Sequence, residues 1–289
     1  MKVILSSNPY RDRGMRAALQ AQKILESSGV ECVFCLPFEI NQNSRLELPD
    51  IPYVPMREQL PQADMLVCFG GDGTILHAAK DAATFHVPIL GVNMGSVGFM
   101  AELEDDELDK LRLLTQNKYT IDKRMMLNVR LMRGKQVLCD EIALNDATIS
   151  KGSIARVVDL DVLADGIHAC RLTGDGVIIA TPTGSTAYSM SAGGPIIEPN
   201  AESLVVTPVC AHQLAVRPIV MSAQRTIAVK TPNRNKKSLY LFVDGGKAIR
   251  MTSADHVEVT KANVCTQLIR FSGKNFYHLL NKKLGGTEQ

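Results

Sequence analysis

Five residues could do phosphate chemistry: Gly70-Gly71-Asp72-Gly73-Thr74. They follow the apolar run Met65-Leu66-Val67-Cys68-Phe69, so a strand is expected to end there and a helix to open at Thr74. Glycine carries no Cβ, which lets the backbone approach a bulky anion or adopt a left-handed conformation. Amides at a helix start can then face phosphate. Asp72 is the odd member, because a carboxylate repels phosphate unless a metal or a proton transfer needs it. An aspartate that ties down a turn or caps a helix is the plain alternative. Three glycines around one carboxylate favour the reactive role.

A second constellation is Thr181-Pro182-Thr183-Gly184-Ser185-Thr186-Ala187-Tyr188, followed by Ser191-Ala192-Gly193-Gly194-Pro195. Its hydroxyls can donate to phosphate, ribose or an amide, and the tyrosine offers a flat face to a base. A polar turn is the alternative. Asn145-Asp146 could clamp the two hydroxyls of a ribose, or form a simple turn. Asp175 lies between Gly174 and Gly176, again as a ligand-facing group or a turn residue. His77 falls one turn into the helix after Asp72 and fits simple packing. His212 could approach a crevice. The six histidines lack zinc-ligand spacing. No glycine-rich loop ends in Gly-Lys-Ser/Thr, Ser185 has no G-x-S-x-G frame, and no clean dinucleotide fingerprint follows the first strand.

These residues need elements to hold them. Strands are expected at Lys2–Ser6, Val30–Leu36, Met65–Phe69 and Pro88–Val92, with helices at 14–28 and 74–84. Strands that are almost wholly apolar and alternate with helices imply a parallel sheet covered on both faces. Ligands of such sheets sit beyond the carboxyl ends of the strands. The glycine turn and the loop 93–98 both fall at such ends. Residues 37–61 read as a loop and 105–115 as a helix. From about 126 to 266 come short β-rich runs, among them 127–132, 156–163, 176–181, 227–231, 238–243 and 256–261. Arg133-Gly134-Lys135 is a hairpin signal. A final helix over 275–283 is expected to pack back on the first part. The fold class is thus an α/β domain with a parallel sheet plus a mainly antiparallel β-rich domain. The expected boundaries are 1–120, 121–268 and a returning segment 269–289.

Bulk properties limit the partners. With 32 basic and 30 acidic side chains the net charge is +2, and there is no tryptophan. Neither balance suits nucleic acid as the main partner. No run is long and apolar enough to span a bilayer, and the first residues read as a strand rather than a secretory signal. Seven cysteines, mostly in apolar runs, fit reduced thiols and a cytoplasmic location. Cys32 and Cys35 have redox or zinc spacing but lie in a predicted strand.

On these motifs the chain resembles the NAD kinase family. The matching pieces are GGDGT at 70–74, GVNMGSVGFMAEL at 91–103, LND at 144–146, TGDG at 173–176, TPTGSTAYSMSAGGP at 181–195 and RPIV at 217–220. The first is shared with lipid kinases and phosphofructokinases, whereas the TPTGSTAY segment is far more specific. The resemblance implies transfer of the terminal phosphoryl of ATP to the 2′-hydroxyl of the adenosine ribose of NAD. Asp72 would be the catalytic aspartate, and Gly70, Gly71, Gly73 and Thr74 would contact phosphates. Asn145 and Asp146 would hold the ribose of the nicotinamide half, and Asp175 the nicotinamide end. Thr186, Ala187, Tyr188 and Ser191 would line the dinucleotide site, with Asn93, Thr183 and His212 counted among the nucleotide contacts. A divalent cation, Mg²⁺, would be held mainly by nucleotide phosphates, with no protein metal ligands, and the chain would form a homodimer or homotetramer. It departs from the family pattern at Ser96, at Lys123-Arg124, at Asp146 where glutamate is common, and at Gly246. A lipid kinase with the same loop, or a dinucleotide-binding regulator without turnover, are the rival readings.

Overall fold

The computed structural model describes every residue apart from 39, 41–45, 47, 96–97, 153–156, 214, 233–237, 272–274 and 286–289. Ser96, and residue 156 at the start of the expected run 156–163, lie outside the described residues. The chain divides into two units, Met1–Lys123 with Cys265–Gln289, and Arg124–Val264.

The first unit opens with β1 (Lys2–Ser7), α1 (Arg16–Glu26) and β2 (Glu31–Cys35). α2 (Met56–Gln59), β3 (Met65–Gly70), α3 (Asp72–Thr84) and β4 (Ile89–Asn93) follow. β5 (Leu103–Glu104), a 3₁₀ stretch (Asp105–Leu111) and α4 (Arg112–Thr115) complete this part. Strands β2, β1, β3 and β4 lie side by side, all parallel, with β5 parallel to β4. β3 and β4 are buried throughout, as apolar strands covered on both faces must be. α1 buries Ala18, Ala21 and Leu25 against the core of Val3, Leu5, Val67 and Leu90.

The structure shifts four sequence expectations here. Gly14 and Met15 both have left-handed φ, 64° and 50°, so α1 starts at Arg16 rather than at residue 14. There the Asp12 carboxylate accepts from the amides of Ala17 and Ala18 at 3.0 and 3.1 Å. α3 starts at Asp72, not Thr74, which moves the carboxylate out of the turn and into the first helical position. The expected helix at 105–115 is mostly 3₁₀, and the loop 37–61 includes α2.

The second unit is β-rich. β6 (Thr120–Arg133), which starts in the first unit, and β7 (Gln136–Ala143) form the expected hairpin, with Gly134 at φ 59° in its turn. Then come β8 (Asp146–Lys151), β9 (Val158–Ala164), β10 (Ile167–Gly174) and β11 (Gly176–Ala180). α5 (Tyr188–Ser191), β12 (Ser203–Val209), β13 (Ile219–Ser222) and β14 (Ile227–Lys230) follow, then β15 (Leu239–Val243), β16 (Ile249–Met251) and β17 (Asp255–Arg270). β17 starts in the second unit and ends in the first, where Leu268 pairs in parallel with Ile89. Strands β10, β9, β14 and β17 are joined antiparallel. So are β13, β12, β11, β8, β15 and β16 in a second sheet. Both sheets share one core, with Leu127, Leu160 and Val229 from one and Ile149, Val177 and Leu241 from the other.

The last helix, α6 (Phe276–Lys283), is capped by Asn275, whose side chain accepts from the His278 amide at 2.9 Å. It packs on the first unit as expected. The Phe276 ring lies 6.1 Å from that of Phe99, and Lys283 Nζ sits 4.4 Å from the Phe99 centroid.

Candidate active site

In the first unit the site is built at the carboxyl ends of β3 and β4. Gly70 and Asn93 are register partners there, and the Met94 amide donates to Gly70 O at 3.0 Å. The glycines of the turn divide by role. A Cβ on Gly70 would meet Thr74 Oγ1 at 2.2 Å, so this glycine is bare because the buried Thr74 packs against it. A Cβ on Gly71 or Gly73 would meet nothing within 4 Å. None of the three uses a left-handed φ. Bare backbone facing open space is what close approach of a phosphate requires. Asn8, just past β1, donates to Thr74 Oγ1 at 3.3 Å.

The Asp72 carboxylate, half-buried, accepts two backbone hydrogen bonds: from Phe99 at 2.8 Å and from Met100 at 3.0 Å. A Cβ on Gly98 would lie 2.1 Å from Asp72 Oδ1. The loop 98–100 thus wraps the carboxylate and fixes its direction. Asn93 is 2% exposed. Its amide nitrogen donates to Gly95 O at 3.0 Å and to Glu104 at 2.7 Å, while its Oδ1 is buried without a partner.

In the second unit Asn145 and Asp146 lie where the chain enters β8. Asp146 is therefore the first residue of a strand and not part of a free turn. The backbone here is gripped from two sides. Asp244, at φ 49°, accepts from the amides of Leu144, Asn145 and Asp146 at 2.7, 2.8 and 3.0 Å. Thr181 donates its hydroxyl to Leu144 O at 2.6 Å and its amide to Asn145 O at 2.9 Å. Gly184 packs so closely on Asn145 O that an added Cβ would sit 2.1 Å from it. The Asp146 side chain is 6% exposed. Burial pushes its carboxyl up to about 6; the Thr148 hydroxyl opposes this and the neighbouring Asp244 adds to it. Burial also raises Asp244, against the pull of its three amide donors.

The hydroxyl-rich loop sorts into inward and outward groups. Thr181, Ser185 and Ser189 are fully buried. Ser185 Oγ bonds Pro182 O and the Ile197 amide, and Ser189 Oγ pairs with Thr207 Oγ1 at 2.8 Å. These hydroxyls hold the loop. Thr183 is also buried and accepts from the buried Arg124 at 3.3 Å. Thr186 and Ala187 are half-buried, Tyr188 is 47% exposed and Ser191 is exposed.

Asp175 stands elsewhere. It bonds Lys151 Nζ at 2.6 Å, and the Lys151 amide donates to its carbonyl at 2.9 Å. Its glycine neighbours are structural: a Cβ on Gly174 would meet Cys210 O at 2.8 Å, and one on Gly176 would meet Ile149 O at 2.3 Å. The exposed His212 joins this group, donating its amide to Thr173 O at 2.9 Å. Asp146 and Lys151 are the two ends of β8, so the groups are about 16 Å apart at ~3.3 Å per residue. The structure brings Asn145, Asp146 and the 181–191 loop together, and sets Asp175 with His212 apart from them.

Sequence reasoning missed the residues that hold the reactive ones, namely Asp244, the amides of Phe99 and Met100, Arg270, Lys151 and Asn8. Two left a signal: Arg270 sits in the apolar run Gln267-Leu268-Ile269-Arg270-Phe271, and Asp244 opens an Asp-Gly turn. The Cys32 and Cys35 thiols are both pushed up to about 12, chiefly by burial, which suits packing rather than reactivity. Among the described residues no three His, Cys, Asp or Glu side chains gather as a metal site.

An α/β unit with a glycine-lined turn at its strand ends, and a β unit with a clamped Asn-Asp pair, are the parts of a nucleotide-dependent phosphotransferase. Family models described as the ATP-NAD kinase N-terminal and C-terminal domains match residues 16–117 and 144–271. An NAD kinase of Ruminiclostridium cellulolyticum is 34% identical over 284 residues, 98% of this chain and 97% of the relative. One of Symbiobacterium thermophilum is 40% identical over 244 residues, 84% of this chain and 86% of the relative. The crystal structure of yeast NADH kinase complexed with NADH superposes with a TM-score of 0.83 at 25% identity, covering all of this chain and 89% of that one. An NAD kinase from Archaeoglobus fulgidus, in complex with ATP, shares the fold at a TM-score of 0.75 and 23% identity, with both chains fully covered. The chain belongs to the NAD kinase family.

Proposed function

We infer that this protein phosphorylates NAD to NADP at the expense of ATP. Beside family membership, one observation carries the chemistry. A carboxylate fixed by two amides stands between Gly71 and Gly73, whose backbone is open to a ligand. Asp72 is assigned to the acceptor ribose. It orients the 2′-hydroxyl and takes its proton as the oxygen bonds to the γ-phosphorus, while the bond to the β-phosphate oxygen breaks and ADP leaves. A ribose hydroxyl is a weak nucleophile, so position matters more than basicity.

The amides around Gly71 and Gly73 suit the phosphates, with Gly70, Thr74 and Asn93 shaping that turn. Asn145 and Asp146 are assigned to a ribose, and Thr186, Ala187, Tyr188 and Ser191 to the rest of the dinucleotide, with Thr183 beneath them. Asp175, paired with Lys151 at the far end of β8, and His212 with it lie too far from Asp146 to touch the same riboside. They serve the far end of an extended dinucleotide or one bound to another copy of the chain, in keeping with a homodimer or homotetramer. The donor is taken to be MgATP, the cation arriving on the phosphates and offsetting their charge. Free thiols, with Cys35 and Cys68 buried, suit a cytoplasmic setting.

The test is NADP formation from NAD, ATP and Mg²⁺ by purified protein, read with an NADP-specific dehydrogenase. Asp72→Asn should lower kcat by roughly 10²–10⁴ while NAD still binds. Near-wild-type turnover in that variant would sink the assignment of Asp72. Absence of product with the wild-type protein across several divalent metals and with polyphosphate as donor would favour a dinucleotide sensor.

A further inference from the structure

We propose that Arg270 and Phe276, which do not contact Asp72, are positioning residues for it through the loop 99–102. The inference rests on the catalytic assignment of Asp72 made above. The carboxylate takes its direction from two consecutive amides, those of Phe99 and Met100. Each of these residues is anchored by the stretch of chain from the end of β17 into α6.

Met100 is held by its carbonyl. Arg270, the last residue of β17, donates Nη1 to Met100 O at 2.9 Å and to Ala101 O at 3.4 Å. The same nitrogen lies 3.3 Å from Glu102 Oε2, and Nε lies 3.2 Å from Asp122 Oδ2. Glu102 is 3% exposed and its other oxygen accepts from the Phe271 amide at 2.9 Å. A planar fork with several donors can bind two carbonyls and two carboxylates in one geometry; a lysine ammonium cannot. Charge-assisted hydrogen bonds of this kind are about twice as strong as neutral ones. The segment 100–102 therefore has one position, and the Met100 amide points at Asp72 because its own carbonyl is tethered to Arg270.

Phe99 is held by its ring. Phe276 packs on it and Lys283 sits over its face. α6 buries none of its residues fully, so its grip on Phe99 is a local contact and not part of a deep core. Two independent anchors, one polar and one aromatic, thus converge on the two amides that aim a single carboxylate.

The experiment measures kcat and KM for NAD and MgATP in Arg270→Lys, Phe276→Ala and Asp72→Asn, and in each anchor variant combined with Asp72→Asn. Melting curves accompany every protein. We expect Arg270→Lys to lower kcat about 10- to 100-fold, because misplacing a reacting group by an ångström costs that much. Phe276→Ala should lower it about 3- to 10-fold. Both KM values should stay within about 2-fold, which a general packing defect would not respect. In the Asp72→Asn background neither anchor change should lower the residual rate further, since coupled residues are not additive. Equal fold-losses in both backgrounds, or wild-type kcat in the single variants, would overturn the inference while leaving Asp72's role intact. Wild-type turnover of Asp72→Asn would remove the premise itself. Should Arg270→Lys fail to fold, Phe276→Ala decides alone, since it alters only a partly exposed contact.

Discussion

Replacing Gly98 by alanine should act on Asp72 without touching it chemically. The new Cβ would lie 2.1 Å from Asp72 Oδ1, 2.7 Å from Cγ and 3.0 Å from Oδ2. Carbon and oxygen need a little over 3 Å, so the carboxylate must retreat by about 1 Å or the loop must open by as much. Either motion breaks the 2.8 and 3.0 Å bonds from Phe99 and Met100. Hydrogen bonds to a charged group are worth about 1.5–3 kcal/mol each. A misplacement of ~1 Å costs roughly 10²-fold in rate. The expected result is therefore a kcat about 10²-fold down with little change in the KM for NAD. Gly98 does not use a left-handed φ, so backbone strain adds nothing and the loss is steric. Gly95→Ala is the control: its Cβ would meet Arg11 at 3.6 Å, an ordinary contact. The assay is steady-state NADP formation, with NAD binding by calorimetry and a melting curve for each variant. A Gly98→Ala protein that turns over like Gly95→Ala would refute the claim that the 98–100 loop sets the carboxylate's position.

Asp146 and Tyr188 give further tests. The Asp146 carboxyl is raised to about 6, chiefly by burial, so it holds its proton in the folded state at pH values where the unfolded chain has lost it. Folding then weakens as pH rises from roughly 4 to 6, and the full cost remains above that. Asp146→Asn should accordingly melt higher than wild type at pH 8 and match it near pH 4; equal melting temperatures throughout would refute the buried-carboxylate account. If the ionised form accepts the ribose hydroxyls, wild-type kcat/KM for NAD should fall as pH drops below about 6. Tyr188→Ala should weaken NAD binding about 10-fold with kcat at saturation nearly kept, because an exposed aromatic face contributes binding and no chemistry; an unchanged dissociation constant by calorimetry would contradict it.

The fold was legible where one residue pattern had one structural solution. Met65–Phe69 and Pro88–Val92 are too apolar to lie anywhere but between two layers, and β3 and β4 do lie there. The turn at 70–74 was legible as a phosphate loop but misread by two residues, because glycines at 71 and 73 hide a helix start that Asp72 itself occupies. Of the two uses open to these glycines, the missing Cβ is the one realised, since none of them takes a left-handed φ. In the hydroxyl-rich loop Thr181, Ser185 and Ser189 carry the same kind of group as Tyr188 and Ser191, the two that the resemblance assigns to the dinucleotide. Only packing shows that the first three point inward and commit their hydroxyls to Leu144 O, Pro182 O and Thr207. Asp244 and Arg270 leave a local trace, an Asp-Gly turn and a charge in an apolar run, but no trace of what they hold. Each acts on backbone groups about 100 and 170 residues away, and no local spacing records such a contact.

The grip of Asp244 on Leu144, Asn145 and Asp146 also bears on how the chain becomes competent. Those three amides meet their acceptor 98 to 100 residues later in the sequence. During synthesis they are made long before residue 244 emerges, and contacts of such separation form late because the intervening loop must first be closed. The segment assigned to the ribose is thus expected to gain its shape only once β15 has found its place beside β8. A ligand that binds this segment binds only chains that have finished, and by mass action it draws unfinished ones toward completion. The dinucleotide would then serve as a chaperone of its own site, and refolding yield should rise with its concentration.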